Sequence, residues 1–257
     1  MTSFLTAVYI MWYRQIKRFL RMKSRVITAI IQPLFWMVFF GLGWAGMFRG
    51  QISKSFFGGG FIAFLTPGVV MISVSTISFM SGVSVIWDKE FGFLKEVLVA
   101  PASRSAIIFG RALGDSTVAV MQGLIVLLLS IVFYPNLNVT FLPIALVSMI
   151  LTALTLTSIG ISIGSKMSSM EAFQLINTLI FMPTIFLSGA FIPLASMPNW
   201  MKTLTLINPL TYGVDATRNA LTGVGFLPLT IDLLLLSIFS IFFLGLSALI
   251  FKRTTIG

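Results

Sequence analysis

The 257-residue sequence contains no histidine and no cysteine, and charged residues make up only 9% of it. Each shortage removes a class of chemistry. Without histidine there is no Ser-His or Cys-His nucleophile and no imidazole ligand for a metal; without cysteine there is no thiolate, disulfide or thiol redox couple. Serine-histidine and zinc-dependent intramembrane proteolysis are excluded with them, and neither a catalytic residue nor a metal site is expected. The low charge excludes water-soluble enzymes, because a globular domain carries about a quarter charged residues and this chain is 57% hydrophobic. So much Leu, Ile, Val and Phe is hidden from water only by lipid. Acidic residues are scarcest of all: seven Asp+Glu face seventeen Lys+Arg, a formal charge of +10. In a soluble domain that excess points to nucleic acid. In a membrane protein it reports topology, and no nucleic-acid partner is expected.

What remains is an all-α membrane protein. Measured against the ~20 apolar residues that cross a bilayer, uncharged segments give six spans at about 26–48, 61–87, 112–133, 141–165, 172–192 and 230–251. A hairpin at Tyr134-Pro135-Asn136-Leu137-Asn138 divides the third from the fourth. Pro183 lies inside the fifth, where a membrane helix tolerates a kink. The stretch 193–228 carries Pro193, Pro198, Asn208-Pro209, Lys202, Asp215 and Arg218 and is too interrupted to span. With the N-terminus inside, thirteen basic residues fall on inner segments and four (Arg49, Lys54, Lys202, Arg218) on outer ones. Both termini are therefore expected in the cytoplasm of a multi-pass protein of the cell (plasma or inner) membrane.

Residues 1–25 form a separate unit ahead of the six-span domain, 26–257. At 100° per residue, Phe4, Leu5, Val8, Trp12, Ile16, Phe19 and Leu20 share one arc, with Arg14, Lys17, Arg18, Arg21 and Arg25 on the other. This predicts a basic amphipathic helix in the inner headgroup plane, in contact with membrane lipids. A cleaved signal peptide fits less well, since the charged region is long and the following apolar run is of spanning length.

No phosphate-cradling G-x-x-x-x-G-K-[ST] loop occurs; Gly160 to Lys166 has the wrong spacing and ends a membrane helix. Any ATP is therefore hydrolysed by another chain. Asp115, Glu171 and Asp232 are the acidic groups nearest the membrane, each placed to be wet at an interface. Small and hydroxylated residues run along spans two (Ser73 to Ser84) and four (Thr152 to Gly164), which helix packing explains. In span five Gln174, Asn177, Phe181, Ile185 and Ser188 follow three- and four-residue steps on one face. That face suits a translocation path or a subunit interface through Asn177, Phe181 and Ser188; a buried interhelical amide contact fits equally.

Between spans two and three, Trp87 to Arg104 mixes charges with an apolar stripe, Phe91, Phe93, Leu94, Val97 and Leu98, that Pro101 ends. A short helix docking on a partner fits this pattern, as does one lying on lipid headgroups. Here the chain resembles the membrane subunits of type-2 ATP-binding-cassette exporters, which include drug, polysaccharide and lipid permeases. Their pattern R-E-x-G-T-L-E-x-L-L-V-x-P-x-S-R is matched by Glu90, Gly92, Leu94, Leu98, Val99, Pro101, Ser103 and Arg104, with Lys89, Phe93 and Lys95 departing and Glu96 shifted by one. A second stretch, Phe186 to Leu194 followed by Met197-Pro198, Trp200 and Asn208 to Ala216 with Arg218, is similar to the outer re-entrant region of drug-resistance permeases.

The resemblance implies an amphipathic connecting helix, six transmembrane helices, a cytoplasmic coupling helix and outer re-entrant half-helices. It implies an export permease that dimerises with itself or a related permease and binds two copies of a cytoplasmic ATPase. ATP and Mg bind there, and this chain holds no cofactor. Coupling is expected to run through Glu90, Gly92, Leu94, Glu96, Pro101 and Arg104, braced by Arg14, Lys17, Arg18 and Arg21. The substrate is amphipathic, drug-like or lipid-type. Export of a polysaccharide or lipid-linked glycan, a gradient-driven transporter or channel, and a membrane assembly factor are the alternatives.

Overall fold

Hydroxyl and amide side chains mark many of the helix starts. Ser3 Oγ accepts from the Thr6 amide at 3.3 Å and opens α1 (Phe4–Arg21). Ser103 caps the helix that opens at Arg104 through the Ala106 amide, Ser169 the one that opens at Met170 through Ala172, and Asn208 the one that opens at Pro209 through Leu210. The computed structural model describes residues 3–45, 57, 60–93, 103–134 and 137–252. After α1 come α2 (Lys23–Trp36), α3 (Phe61–Glu90), α4 (Arg104–Phe133), α5 (Leu142–Lys166), α6 (Met170–Phe186), α7 (Asn199–Ile207), α8 (Pro209–Thr222) and α9 (Leu229–Lys252). No strand occurs among the described residues.

Among the described residues, four helices are long and apolar enough to cross a bilayer: Phe61–Glu90, Arg104–Val132, Val139–Lys166 and Leu229–Lys252. They correspond to expected spans two, three, four and six. The segments expected as spans one and five hold shorter apolar helices, Ile31–Gly41 and Met170–Phe186. Pro33 lies inside α2, and a π-helical stretch, Met37–Leu42, follows; part of 26–48 lies outside the described residues. In α6 a π-helical stretch, Asn177–Phe181, precedes Pro183. A proline lacks the amide that would continue the i to i−4 ladder, so the register widens beside it. α4 starts at Arg104, eight residues before the expected span, because Ser103 caps it there.

α3 is the central helix: most of its apolar length is buried within the chain, whereas most of α9 is not. It lies closest to α5. A Cβ on Gly82 would fall within 3 Å of the Gly160 carbonyl and the Phe173 ring, and one on Gly164 within 3 Å of Gly82 backbone. Small residues let membrane helices approach to backbone contact where dispersion replaces the hydrophobic effect. The hydroxyl stripes serve the same packing. Ser73, Thr76, Thr152 and Ser162 donate to carbonyls four residues back on their own helices. Between helices, Ser81 donates to the Thr157 carbonyl at 3.2 Å, the hydroxyls of Thr155 and Ser240 pair at 2.8 Å, and those of Ser148 and Thr217 at 2.7 Å. Met71, Val74, Phe79, Met149, Phe173 and Leu210 fill the space between.

The N-terminal helix departs from the expected picture. α1 packs along α4 on the seam Ala7, Met11 and Gln15, all buried, opposite Gly110 and Gly114. Arg14 and Arg18 therefore point into the protein, while Lys17 and Arg21 remain exposed. Phe4, Leu5 and Leu20 are exposed as expected, and Trp12 turns its indole N–H to the Thr117 hydroxyl at 3.1 Å.

Candidate functional site

The charged residues that the apolar runs leave over collect at one end of the helices. α3 runs uncharged from Phe61 to Trp87 and then delivers Asp88, Lys89 and Glu90 in its last turn. Asp88 is buried and carries three guanidinium contacts. Its Oδ2 accepts from Arg111 Nη1 on α4 at 2.7 Å, and its Oδ1 from Arg14 Nη2 and Arg18 Nη1 on α1 at 3.1 and 3.5 Å. Arg111 also donates through Nη2 to Ser84 Oγ at 2.7 Å, and its Nε lies 3.9 Å from Asp115 Oδ2. The Arg14 guanidinium covers the Phe93 ring at 3.6 Å, and Arg18 covers Trp87 at 5.8 Å. Burial pulls the Arg14 pKa below its ordinary value and Asp88 pulls it back up. A carboxylate out of water is tolerated when its lone pairs are filled by charged donors, as they are here.

Two further ties close this end. Lys89 Nζ donates to the carbonyls of Gly164, Ser165 and Met167 at the C-terminus of α5, a favourable place for a cation. Arg104 Nη1 donates to the Lys252 carbonyl of α9 at 2.9 Å. Asp88, Lys89 and Arg104 thus bind α1, α3, α4, α5 and α9 together around the stretch that leaves α3 and re-enters at α4. Of the residues expected to couple to a partner, Glu90 is exposed, Gly92 has a positive φ of 74° and Arg104 opens α4. Leu94, Glu96 and Pro101 lie outside the described residues. Sequence reasoning assigned no role to Asp88 or Arg111. Their signal was an Asp at the end of an apolar run and an Arg buried in the first turns of the next.

The face proposed on span five is split by the π-helical stretch, which inserts a residue into the helical register. Gln174 is exposed, and the Asn177 amide, half-buried, donates to Gln174 Oε1 at 3.4 Å. Phe181 turns inward and stacks on Phe79 at 4.2 Å with the rings 5° from parallel. Ser188 is buried, donating to the Ile185 carbonyl and accepting from the Ala190 amide. Phe181→Ala is expected to cost about 3 kcal/mol through the cavity it leaves, whereas Leu179→Ala, on the exposed side of the same turn, stays within about 0.5 kcal/mol. Thermal unfolding of the two variants in one detergent measures the difference.

At the far end, 187–228 folds into two short helices held by buried charge. Arg218 Nη2 donates to the Gly189 carbonyl at 2.8 Å and the Phe64 carbonyl at 3.4 Å, and its guanidinium lies 4.0 Å from the Phe64 ring. Asp215 accepts from the amides of Phe226 and Leu227 at 2.8–2.9 Å, securing the turn that Gly223 begins at φ 72°. Asp232, expected to be wet, is instead fully buried where α9 packs on α8, and neither carboxylate oxygen has a hydrogen-bond partner among the described residues. Glu171 is exposed in the first turn of α6, as expected for an interface.

The model of the family described as ABC-2 type transporter matches residues 6–222, from α1 to the end of α8, and so takes in both charged ends. Over 235 residues the chain is 26% identical to "Inner membrane transport permease YadH" of Escherichia coli K12, covering 90% of this chain and 89% of that one. It is 29% identical over 204 residues to "Putative transport permease ycf38" of Porphyra purpurea, 77% of this chain and 68% of the relative. It is 31% identical over 156 residues to "Probable multidrug ABC transporter permease YbhR" of Escherichia coli K12, 60% of this chain and 42% of the relative. A chain whose described residues form helices and no strand, four of the helices apolar and of spanning length, and whose match is of this extent belongs to the ABC-2 type transporter family.

Proposed function

We propose that the chain is the membrane subunit of an exporter that moves an amphipathic, drug-like or lipid-type molecule out of the cytoplasm or inner leaflet by alternating access. It works as a dimer, with itself or a related permease, and binds two copies of a separate ATPase that hold ATP and Mg. In this reading the short helices Ile31–Gly41 and Met170–Phe186 belong to two further spans, six in all. Both termini and the Asp88 end face the cytoplasm. The exposed apolar sides of α2 and α6 meet lipid or the second subunit. Asn177 lies on the translocation path, which Phe181 and Ser188 support from behind.

The observation that carries the reading is the Asp88 node. A partner pressing on the stretch between Glu90 and Arg104 pushes on the point where α1, α3 and α4 are tied by charge. Its closure is then passed on as a rigid-body shift of those helices. The multidrug permease name of the relative YbhR supports a drug-like substrate. The test is co-purification. Glu90→Lys with Arg104→Glu should insert in the membrane normally yet lose the ATPase that accompanies the wild type. ATPase recovered in normal amount with the double variant would overturn the docking assignment.

A further inference from the structure

Beside the Asp88 node, α1, α2, α3 and α4 enclose a cavity of about 260 Å³. Its chemistry is graded along α3. Near the charged end it is lined by Ser84, Gln15 and Asp115; deeper in, Trp36, Val69, Ile72 and Met80 form apolar walls. Ser84 and Val69 are fifteen residues apart on one helix, so the space extends over roughly 20 Å at 1.5 Å per residue. Glutamines from three helices face it: Gln15 from α1, Gln32 from α2 and Gln122 from α4. Gln15 and Gln122 are only 3% and 4% exposed, whereas Gln32 and its neighbour Thr28 are exposed on the outside of α2 and mark a lateral mouth.

Gln15 supplies the specific signal. Gln15 lines the cavity, and its Nε2, buried just beneath that surface, has no hydrogen-bond partner among the described residues. An amide donor left unmatched out of water costs about 1–3 kcal/mol, so a molecule whose acceptor oxygen draws the Gln15 amide round to the cavity surface gains by it. The hydroxyls of Ser73 and Thr76 already donate to their own helix and offer little competition. The surrounding charges select against an ionic head. Arg18, which lines the cavity, is held by Asp88, and Asp115 disfavours an anion as Arg18 and Arg111 disfavour a cation. The volume lies just under the ~300–1,000 Å³ of drug-sized pockets, which suits one acyl chain and rules against two.

We propose that this cavity binds an uncharged single-chain amphiphile of the bilayer, of the monoacylglycerol class. Its ester or hydroxyl oxygen meets Gln15 Nε2, and its chain lies along Trp36, Val69 and Met80. The site lies within one protomer and Asn177 does not line it, so it stands independently of the transport reading.

A monoacylglycerol carrying a diazirine in its chain, added to the protein in phosphatidylcholine nanodiscs without any ATPase and photolysed, tests this. Mass spectrometry is expected to place the label on residues lining the cavity from α2 and α3. Unlabelled monolaurin should compete at least tenfold better than laurate or dodecylphosphocholine. Gln15→Leu, which keeps the carbons that pack on Gly114, should cut labelling at least fivefold, and Thr76→Phe should abolish it. Labelling confined to the lipid-facing Leu128, Val132, Ile238 and Ile241, or competition by all three amphiphiles alike in the wild type, would overturn the proposal whether or not the variants fold.

Discussion

Asp88→Ala is expected to lower stability by about 3–5 kcal/mol and to release α1 from the body of the protein. The magnitude is that of removing one partner from a buried ion pair, which leaves the other charge without compensation. Here the stranded group is Arg111, whose side chain is 2% exposed, cannot reach water and is left with Ser84 and, 3.9 Å away, Asp115. Arg14 and Arg18, at 27% and 25%, can swing outward, and α1 then loses its tie to α3. It keeps the seam on Gly110 and Gly114 and the Trp12–Thr117 hydrogen bond, both to α4. Thermal unfolding in detergent measures the first effect, and trypsin cleavage after Arg14 and Arg18 at native temperature measures the second. Glu90→Ala, two residues on and exposed, should leave both unchanged. The double variant Asp88→Leu/Arg111→Met should be more stable than the sum of its two single variants, because neither charge is then left alone. Additive losses, or a trypsin pattern like the wild type in Asp88→Ala, would show that the node does not hold α1.

How far the sequence foretold this arrangement depends on how local the cause is. Ser103 before Arg104 and Asn208 before Pro209 cap helices through amides two or three residues away, so helix starts of this kind are legible in a single sequence. The stripes of Ser and Thr along spans two and four were equally legible as packing. The long uncharged runs announced α3, α4, α5 and α9, because hydropathy over twenty residues is a property of the chain alone. The inward turn of Arg14 and Arg18 was not legible. A helical wheel gives the angle of each side chain but not the neighbour it faces, and here Gly110 and Gly114 on α4 draw in the Ala7, Met11 and Gln15 side of α1. The split of the span-five face was hidden for a different reason. A π-helical stretch at Asn177–Phe181 shifts the register by one residue, and no simple three- or four-residue count anticipates that. Asp232 misled because its place at the start of an apolar helix resembled an interface, whereas burial by α8 is a matter of tertiary packing.

Gly82→Ala is expected to be among the most disruptive single methyls at the described glycines, costing more than about 3 kcal/mol. The added Cβ would be driven into the Gly160 carbonyl on one side and the fully buried Phe173 ring on the other. Neither can give way cheaply: one is helix backbone, and the ring is packed against Phe79 at 5.3 Å. To make room, α3 must move away from α5, and Gly164, which lies against the Gly82 backbone, moves with it. Gly245 provides the control. It is an exposed glycine inside α9 with nothing within 4 Å of the position a Cβ would take, so Gly245→Ala should be neutral or stabilising by about 0.5–1 kcal/mol through helix propensity alone. The two variants change the same atoms in the same kind of helix, so the difference in their unfolding midpoints isolates the contact from the propensity. Equal midpoints would mean that α3 and α5 are not in backbone contact. A large gap would mean that the central helix pair is rigid, as it must be if movement at Asp88 is to reach the far end undamped.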